Sequence, residues 1–149
     1  MGYWKLVEPI WDSVSIYDGG DIFLQQFAAA PEASQTLFAA HWTQSEVLNG
    51  GFGQYFFNST GVLAPEAITA FRQLGMPKTA AAVERAVSFF GPPYPRDRGE
   101  RQEELEAAAD RFGEAFDPFQ EANDVFFESV EEEAGGFEAA ADAYAAANG

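Results

Sequence analysis

One stretch decides how this chain folds: Asn49-Gly50-Gly51-Phe52-Gly53-Gln54-Tyr55-Phe56-Phe57-Asn58-Ser59-Thr60-Gly61, which combines four glycines, four aromatic rings and three side-chain amides. We call it the 49–61 motif. The consecutive glycines Gly50 and Gly51 predict a backbone with φ above zero, or a place where another segment comes close. A positive φ and a close approach of two segments are both needs of the fold. The stretch therefore indicates a structural motif and not a reaction centre.

The aromatic and amide side chains of the motif have separate expected roles. Three of the rings recur at helical spacing and are predicted to bury together; they are Phe52, Tyr55 and Phe56. The three amides are expected to bond backbone groups that the turns leave open; they belong to Asn49, Gln54 and Asn58. We therefore expect substitutions in the motif to affect stability.

The motif, Asn-Gly-Gly-Phe followed by Gln-Tyr-Phe-Phe-Asn-Ser-Thr-Gly, resembles the signature of a bacterial domain family of unassigned activity. Further short matches extend the resemblance to about Arg101; they are His41-Trp42, Ser45-Glu46-Val47, Ala64-Pro65-Glu66-Ala67, Phe71-Arg72, Gly75 and Tyr94-Pro95-Arg96. The family takes its name from a DNA-mimic protein. The resemblance therefore implies an all-helical, acidic protein that occupies the DNA-binding surface of another protein, and it supplies no catalytic residues.

Composition predicts one domain over residues 1–149, because 47% hydrophobic residues can fill a core without metals or disulfides. The chain has no cysteine, which excludes thiolate chemistry and fits a reducing cytoplasm. The N-terminus lacks a signal-peptide pattern, and no apolar run reaches membrane-spanning length. We expect a soluble cytoplasmic protein without a cofactor or a metal.

Charge narrows the class of partner. The formal net charge is −16, from 24 acidic and 8 basic residues, which disfavours nucleic acid or an anionic membrane as a direct partner and favours a cationic protein surface. Residues 100–149 carry fifteen of the acidic side chains and only two basic ones. Most of the excess charge therefore lies in the last third of the chain.

Apolar residues recur at steps of three and four, which predicts an all-α domain of about seven or eight helices. The predicted helices before the last third cover residues 4–17, with a break near Pro9 as the alternative, then 22–30 and 32–48. An αα-hairpin over 64–90 follows. Asp21 is expected to cap the second helix and Gly50 to end the third. A rival interpretation makes Asn49-Gly50 a hairpin turn between two strands. It ranks second because neither flank alternates apolar with polar residues.

From about Arg98 the pattern is helical again. Its apolar side is predicted to carry Leu105, Ala108, Phe112 and Phe116, before Asp117-Pro118 restarts the helix. Beyond this point Phe119, Phe126 and Val130 continue the apolar side. Gly135-Gly136 is expected to end that helix, and a last one is predicted over 137–148.

Acidic residues of the same segment also recur at steps of three or four. We call them the acidic stripe: Glu103, Glu106, Asp110, Glu114, Asp117, Glu121, Asp124, Glu128 and Glu131. If the helices were collinear, the stripe would span about 42 Å, a length over which one DNA strand carries about 12 phosphates. A solvated face of an acidic amphipathic helix explains the same spacing, so both interpretations stay open.

Three hypotheses on function follow. The first is a non-enzymatic acidic binding protein that mimics DNA and occupies the nucleic-acid-binding surface of a basic, DNA-binding partner. The second is an interaction module that binds its partner through the 49–61 motif. A homodimer of this chain is one complex that such a module could form. The third is an enzyme built on His41, Glu46 and Gln54. His41 is the only histidine, and its ordinary interpretation is a hydrogen-bonded residue on an apolar helix face.

Overall fold

The computed structural model describes residues 2–149, and in these residues it contains eight α-helices and no β-strand. The helices are α1 (Trp4–Val7), α2 (Gly20–Ala29), α3 (Glu32–Phe57), α4 (Ala64–Gln73), α5 (Pro77–Val87), α6 (Arg98–Phe112), α7 (Gln120–Glu132) and α8 (Phe137–Asn148). The all-α prediction is confirmed. The rival hairpin at Asn49-Gly50 is wrong, since both residues lie inside α3.

Helix α3 forms the centre of the fold. It packs against α1, α4, α6, α7 and α8. Its fully buried side chains include Leu37, Val47, Phe52, Tyr55 and Phe56, and they belong to one continuous hydrophobic core. The expectation that three motif rings bury together is therefore met, and all three lie in the last third of the central helix.

The paired glycines of the motif kink α3. Gly50 was expected to be the C-terminal cap, but the helix breaks one residue later, at Gly51, and a second helical segment continues to Phe57. Gly51 alone has a non-helical backbone, with φ 79° and ψ 177°, and Gly50 has no positive φ. This region of the Ramachandran plot is essentially restricted to glycine. The conformational requirement was predicted correctly, but it falls one residue later and makes a kink.

The N-terminal prediction needs two corrections. The helix predicted over residues 4–17 ends at Val7 and passes into a 3-10 turn over Glu8–Ile10. Pro9 lies in that turn, where its missing N–H and its ring oppose a continuing α-helix. Asp21 does not cap α2, because the helix already begins at Gly20 and Gly19 is its N-cap.

The predicted αα-hairpin is confirmed as α4 and α5, which pack against each other. Pro65 and Pro77 occupy the first turns of the two helices, as their fixed φ favours. An exposed ion pair between Arg72 and Glu84, 3.1 Å apart, joins the two helices. Such an exposed pair contributes at most about 1 kcal/mol, so apolar packing holds the hairpin together.

The last third departs most from expectation. Helix α6 ends at Phe112, and residues 113–119 connect it to α7. Phe112 and Phe116, which were predicted on a shared apolar helix side, are 56% and 49% exposed. The apolar side predicted beyond this point is confirmed, because α7 packs on α5 and buries Phe126 and Val130. Among residues 2–149, no helix combines the length and the apolarity needed to cross a bilayer.

Candidate functional site

Side chains of α6 complete the C-terminal end of α3. The last carbonyl groups of a helix have no partner within the helix. Arg98 Nε donates to the carbonyl oxygen of Phe57 at 2.9 Å, and Gln102 Nε2 donates to the same oxygen at 3.0 Å. The first turns of α6 therefore hold the end of the 49–61 motif.

Arg101 does the same from inside the protein, where its side chain is fully buried. Its guanidinium donates to the carbonyl oxygens of Phe56 at 2.8 Å and Asn58 at 2.9 Å. It also donates to those of Arg96 at 2.6 Å and Pro95 at 3.3 Å. Burial lowers the pKa of Arg101. The negative end of the α3 dipole and four oxygen acceptors offset the desolvation of this cation.

The kink in α3 receives a side chain from α7. Because the helix breaks at Gly51, the N–H of Phe52 needs another acceptor, and Asn123 Oδ1 accepts it at 2.8 Å. Asn123 Nδ2 in turn donates to Asp117 Oδ2 at 3.3 Å. The other oxygen of Asp117 accepts the N–H of Phe119 at 2.8 Å. Asn123 was not predicted from the sequence, because it lies 71 residues from Phe52 along the chain.

The motif amides have partners other than the expected ones. Gln54 Nε2 and Asn58 Nδ2 both donate to Glu46 Oε2, at 2.7 and 2.9 Å, and not to open backbone groups. Asn49 is exposed. The prediction that the motif amides bond open backbone groups is therefore wrong for Gln54 and Asn58, whose acceptor is a carboxylate on the preceding turns of α3.

Glu133, just after α7, caps the N-terminal end of α5. Its carboxylate accepts the backbone N–H groups of Lys78 at 2.6 Å and Thr79 at 2.9 Å, and also the hydroxyl of Thr79 at 2.9 Å. Negative charge at this end of a helix is favourable. With Arg101 and Asn123, Glu133 fixes the acidic last third onto the rest of the protein.

All nine residues of the acidic stripe are exposed. The first three lie on α6, Glu114 and Asp117 lie in the connection, and the remaining four lie on α7. The stripe thus follows two helices with a break, and not one straight line. Among residues 2–149, Glu121 is its only member in an ion pair, with Arg85.

The family of this chain follows from its sequence. The model of the family described as DMP19-like protein matches residues 28–148. The chain belongs to the DMP19-like protein family. The match contains the 49–61 motif and the complete acidic stripe, and so extends well beyond Arg101, where the resemblance was expected to end. No curated protein and no solved structure matches the chain.

The three residues considered for catalysis do not form one hydrogen-bonded group in this DMP19-like protein. Glu46 and Gln54 are hydrogen-bonded to each other. His41 instead lies among aromatic rings near the N-terminus, where its Nδ1 is 2.9 Å from the hydroxyl of Tyr3 and its ring centroid is 5.0 Å from that of Trp4. Burial lowers the pKa of His41. Within residues 2–149, no three His, Asp or Glu side chains form a group that could hold a metal ion.

Proposed function

We propose that this DMP19-like protein is a non-enzymatic binding protein whose acidic stripe occupies the nucleic-acid-binding surface of a basic partner protein. One observation carries the proposal: eight of the nine stripe carboxylates are exposed and form no ion pair within residues 2–149. The name of the family, which indicates a DNA mimic, supports the same function.

Half of the eight basic side chains bond outside the stripe, and within residues 2–149 only Arg85 forms an ion pair with a stripe carboxylate. Arg98 and Arg101 donate to backbone carbonyl groups of the 49–61 motif. Arg96 pairs with Glu66, at 2.8 Å, and Glu66 is not part of the stripe. The negative field of the stripe therefore extends into solvent, where it can steer a basic protein towards this surface.

The stripe is also mounted on fixed elements. Helix α6 is held through Arg101, and α7 through Asn123 and Glu133, in contacts with three different parts of the fold. A charge array recognises a partner specifically only if its members keep their relative positions. An acidic surface that serves only for solvation does not need carboxylates in fixed positions. The contacts of Arg101, Asn123 and Glu133 therefore favour the interpretation that the stripe carboxylates are positioned for a partner.

Affinity capture from the native cell lysate, with elution along a salt gradient, tests the function. The expected partner elutes at elevated salt, because screening weakens attraction between exposed charges. The same partner is expected to bind double-stranded DNA, and DNA is expected to compete with this protein for it. A salt-sensitive partner that binds no nucleic acid would contradict the proposal.

A further inference from the structure

A groove of about 570 Å³ lies beside the acidic stripe, where the end of α3 meets the connection between α6 and α7. We call it the Phe116 groove. Its apolar walls include Phe57, Leu105, Phe116 and Pro118, and its acidic walls are Glu114 and Asp117. The groove therefore joins the exposed side of the 49–61 motif to the middle of the stripe.

The aromatic side chains at this groove are unusually accessible. Phe57 is 44% exposed and lines the groove together with Phe116. The ring of Phe112, whose centroid is 5.1 Å from that of Phe116, extends the exposed apolar surface beyond the groove. Phe112 is exposed because the one buried residue of α6, Arg101, lies near the other end of that helix, and Phe116 lies in the connection beyond it. Adjacent exposed apolar side chains of this size mark an interaction surface.

Charge decides which occupant fits. Of the described residues that line the groove, two are acidic and none is basic. Asp117 already accepts hydrogen bonds from Phe119 and Asn123, whereas Glu114 forms no ion pair within residues 2–149. A second copy of this chain, with its own net charge of −16, would bring like charges together here. A basic segment would be attracted.

We propose that the Phe116 groove docks an amphipathic basic helix of the partner protein. An apolar side chain of that helix packs against Phe57 and Phe116, while flanking Lys or Arg side chains pair with Glu114 and neighbouring stripe carboxylates. A helix presents both kinds of side chain at once, and basic helices are a common means of reading DNA. The inference rests on the proposed function for the basic partner and adds an apolar anchor to it.

The test compares two fluorescent probes. One is a designed helical peptide with leucines on one face and lysines on the other, and the second is an oligolysine of the same charge. Binding of each is measured by fluorescence anisotropy at low salt and at about 1 M salt, where the Debye length falls to about 3 Å. Oligolysine binding should be lost at high salt, and binding of the amphipathic peptide should persist.

Two double variants locate the binding. Phe112→Ser with Phe116→Ser removes the exposed pair, and Tyr17→Ser with Phe127→Ser removes two aromatic rings elsewhere, which are 73% and 38% exposed. The first is expected to weaken binding of the amphipathic peptide at least about tenfold, since burial of one aromatic side chain contributes more than that factor. The control should keep wild-type affinity. Far-UV circular dichroism verifies folding, and Phe116→Ser alone provides a milder variant.

Three results would overturn the inference: release of both probes at the same salt concentration, equal losses in both double variants, or concentration-dependent self-association that only the Phe112/Phe116 variant abolishes. The last result would make a second copy the occupant. None of them depends on nucleic acid or on the native partner. The docking inference and the proposed function can therefore fail separately.

Discussion

A β-carbon added to Gly61 would lie 2.7 Å from Nε of Arg101, closer than real Cβ contacts come. The guanidinium occupies the space that a side chain at Gly61 would need. Gly61 has no positive φ, so the position requires glycine for room and not for backbone conformation. Tyr94 closes the same site, because its hydroxyl donates to the carbonyl oxygen of Gly61 at 2.6 Å.

Arg101→Met is expected to destabilise the protein by about 3–5 kcal/mol, because it leaves several buried carbonyl groups without donors. For a chain of this length, each kcal/mol corresponds to a fall in Tm of about 2–4 °C. Differential scanning calorimetry measures the change. Arg101→Lys should give an intermediate loss, since an ammonium group cannot reproduce the fork of donors.

Arg111→Met provides the matched control for Arg101→Met, because it removes the same charge from the exposed end of α6. Its Tm should stay close to that of the wild type. Equal Tm changes in the two variants would mean that net charge, and not the buried hydrogen bonds, accounts for the effect.

Gly51→Ala should cost more stability than Gly50→Ala. At Gly51 a side chain must adopt φ 79°, at a cost of about 1–3 kcal/mol, and its Cβ would also lie 3.2 Å from Asn123 Nδ2. At Gly50 alanine gains up to about 1 kcal/mol of helix propensity, offset by displacement of the flexible Gln54 side chain. Urea unfolding of both variants tests the order. The reverse order would refute the assignment of the kink to Gly51.

Charge reversal tests whether the stripe is positioned or only charged. Five lysines replace Glu103, Asp110, Glu114, Asp124 and Glu128; Glu121 stays unchanged because it pairs with Arg85. We expect the captured partner to lose at least about a hundredfold in affinity, measured by surface plasmon resonance, because close interfacial charge pairs couple by several kcal/mol.

The control for the stripe reverses five exposed acidic residues outside it: Glu8, Asp12, Asp18, Asp21 and Glu32. Both variants carry the same net charge. The control should bind more slowly but keep most of its affinity, since distant charges act mainly on association rate. Similar affinity losses in both would leave only nonspecific attraction.

The pH dependence of stability should contain a contribution from His41. Burial lowers the pKa of His41 in the folded state, so the unfolded chain binds its proton more readily. Stability from this residue is therefore complete above its unfolded pKa of about 6.5 and is lost as the pH falls below that value. As the pH falls from about 8 to about 5, the urea midpoint of His41→Gln should decrease less steeply than that of the wild type. Parallel slopes would exclude this role.

Local signals in the sequence predicted the fold well. The helices of the αα-hairpin were delimited correctly by Pro65, Gly75 and Pro77, because turn residues restrict the backbone conformation of their immediate neighbours. The glycine pair predicted a special backbone but not which residue would adopt it. Pro9 shortened the first helix, a possibility that the apolar rhythm alone could not resolve.

The contacts that fix the candidate surface carried no local signal. Arg101 meets Phe56 across 45 residues, and Asn123 meets Phe52 across 71. Neither residue type nor periodicity identifies such partners before the helices are placed in space. The exposure of Phe112 and Phe116 was missed for the same reason: periodicity shows that two side chains share a helix side, but not whether another element covers that side.

Helix ends completed by distant residues also govern how the chain unfolds. The C-terminal end of α3 depends on Arg101, and the N-terminal end of α5 depends on Glu133. Neither helix end is complete until the acidic last third has docked. The last third therefore cannot detach and leave the rest of the fold intact. Mutual repulsion of its carboxylates therefore acts on one cooperative transition of the whole chain. Removing salt should move that transition to lower temperature, without first fraying the acidic end.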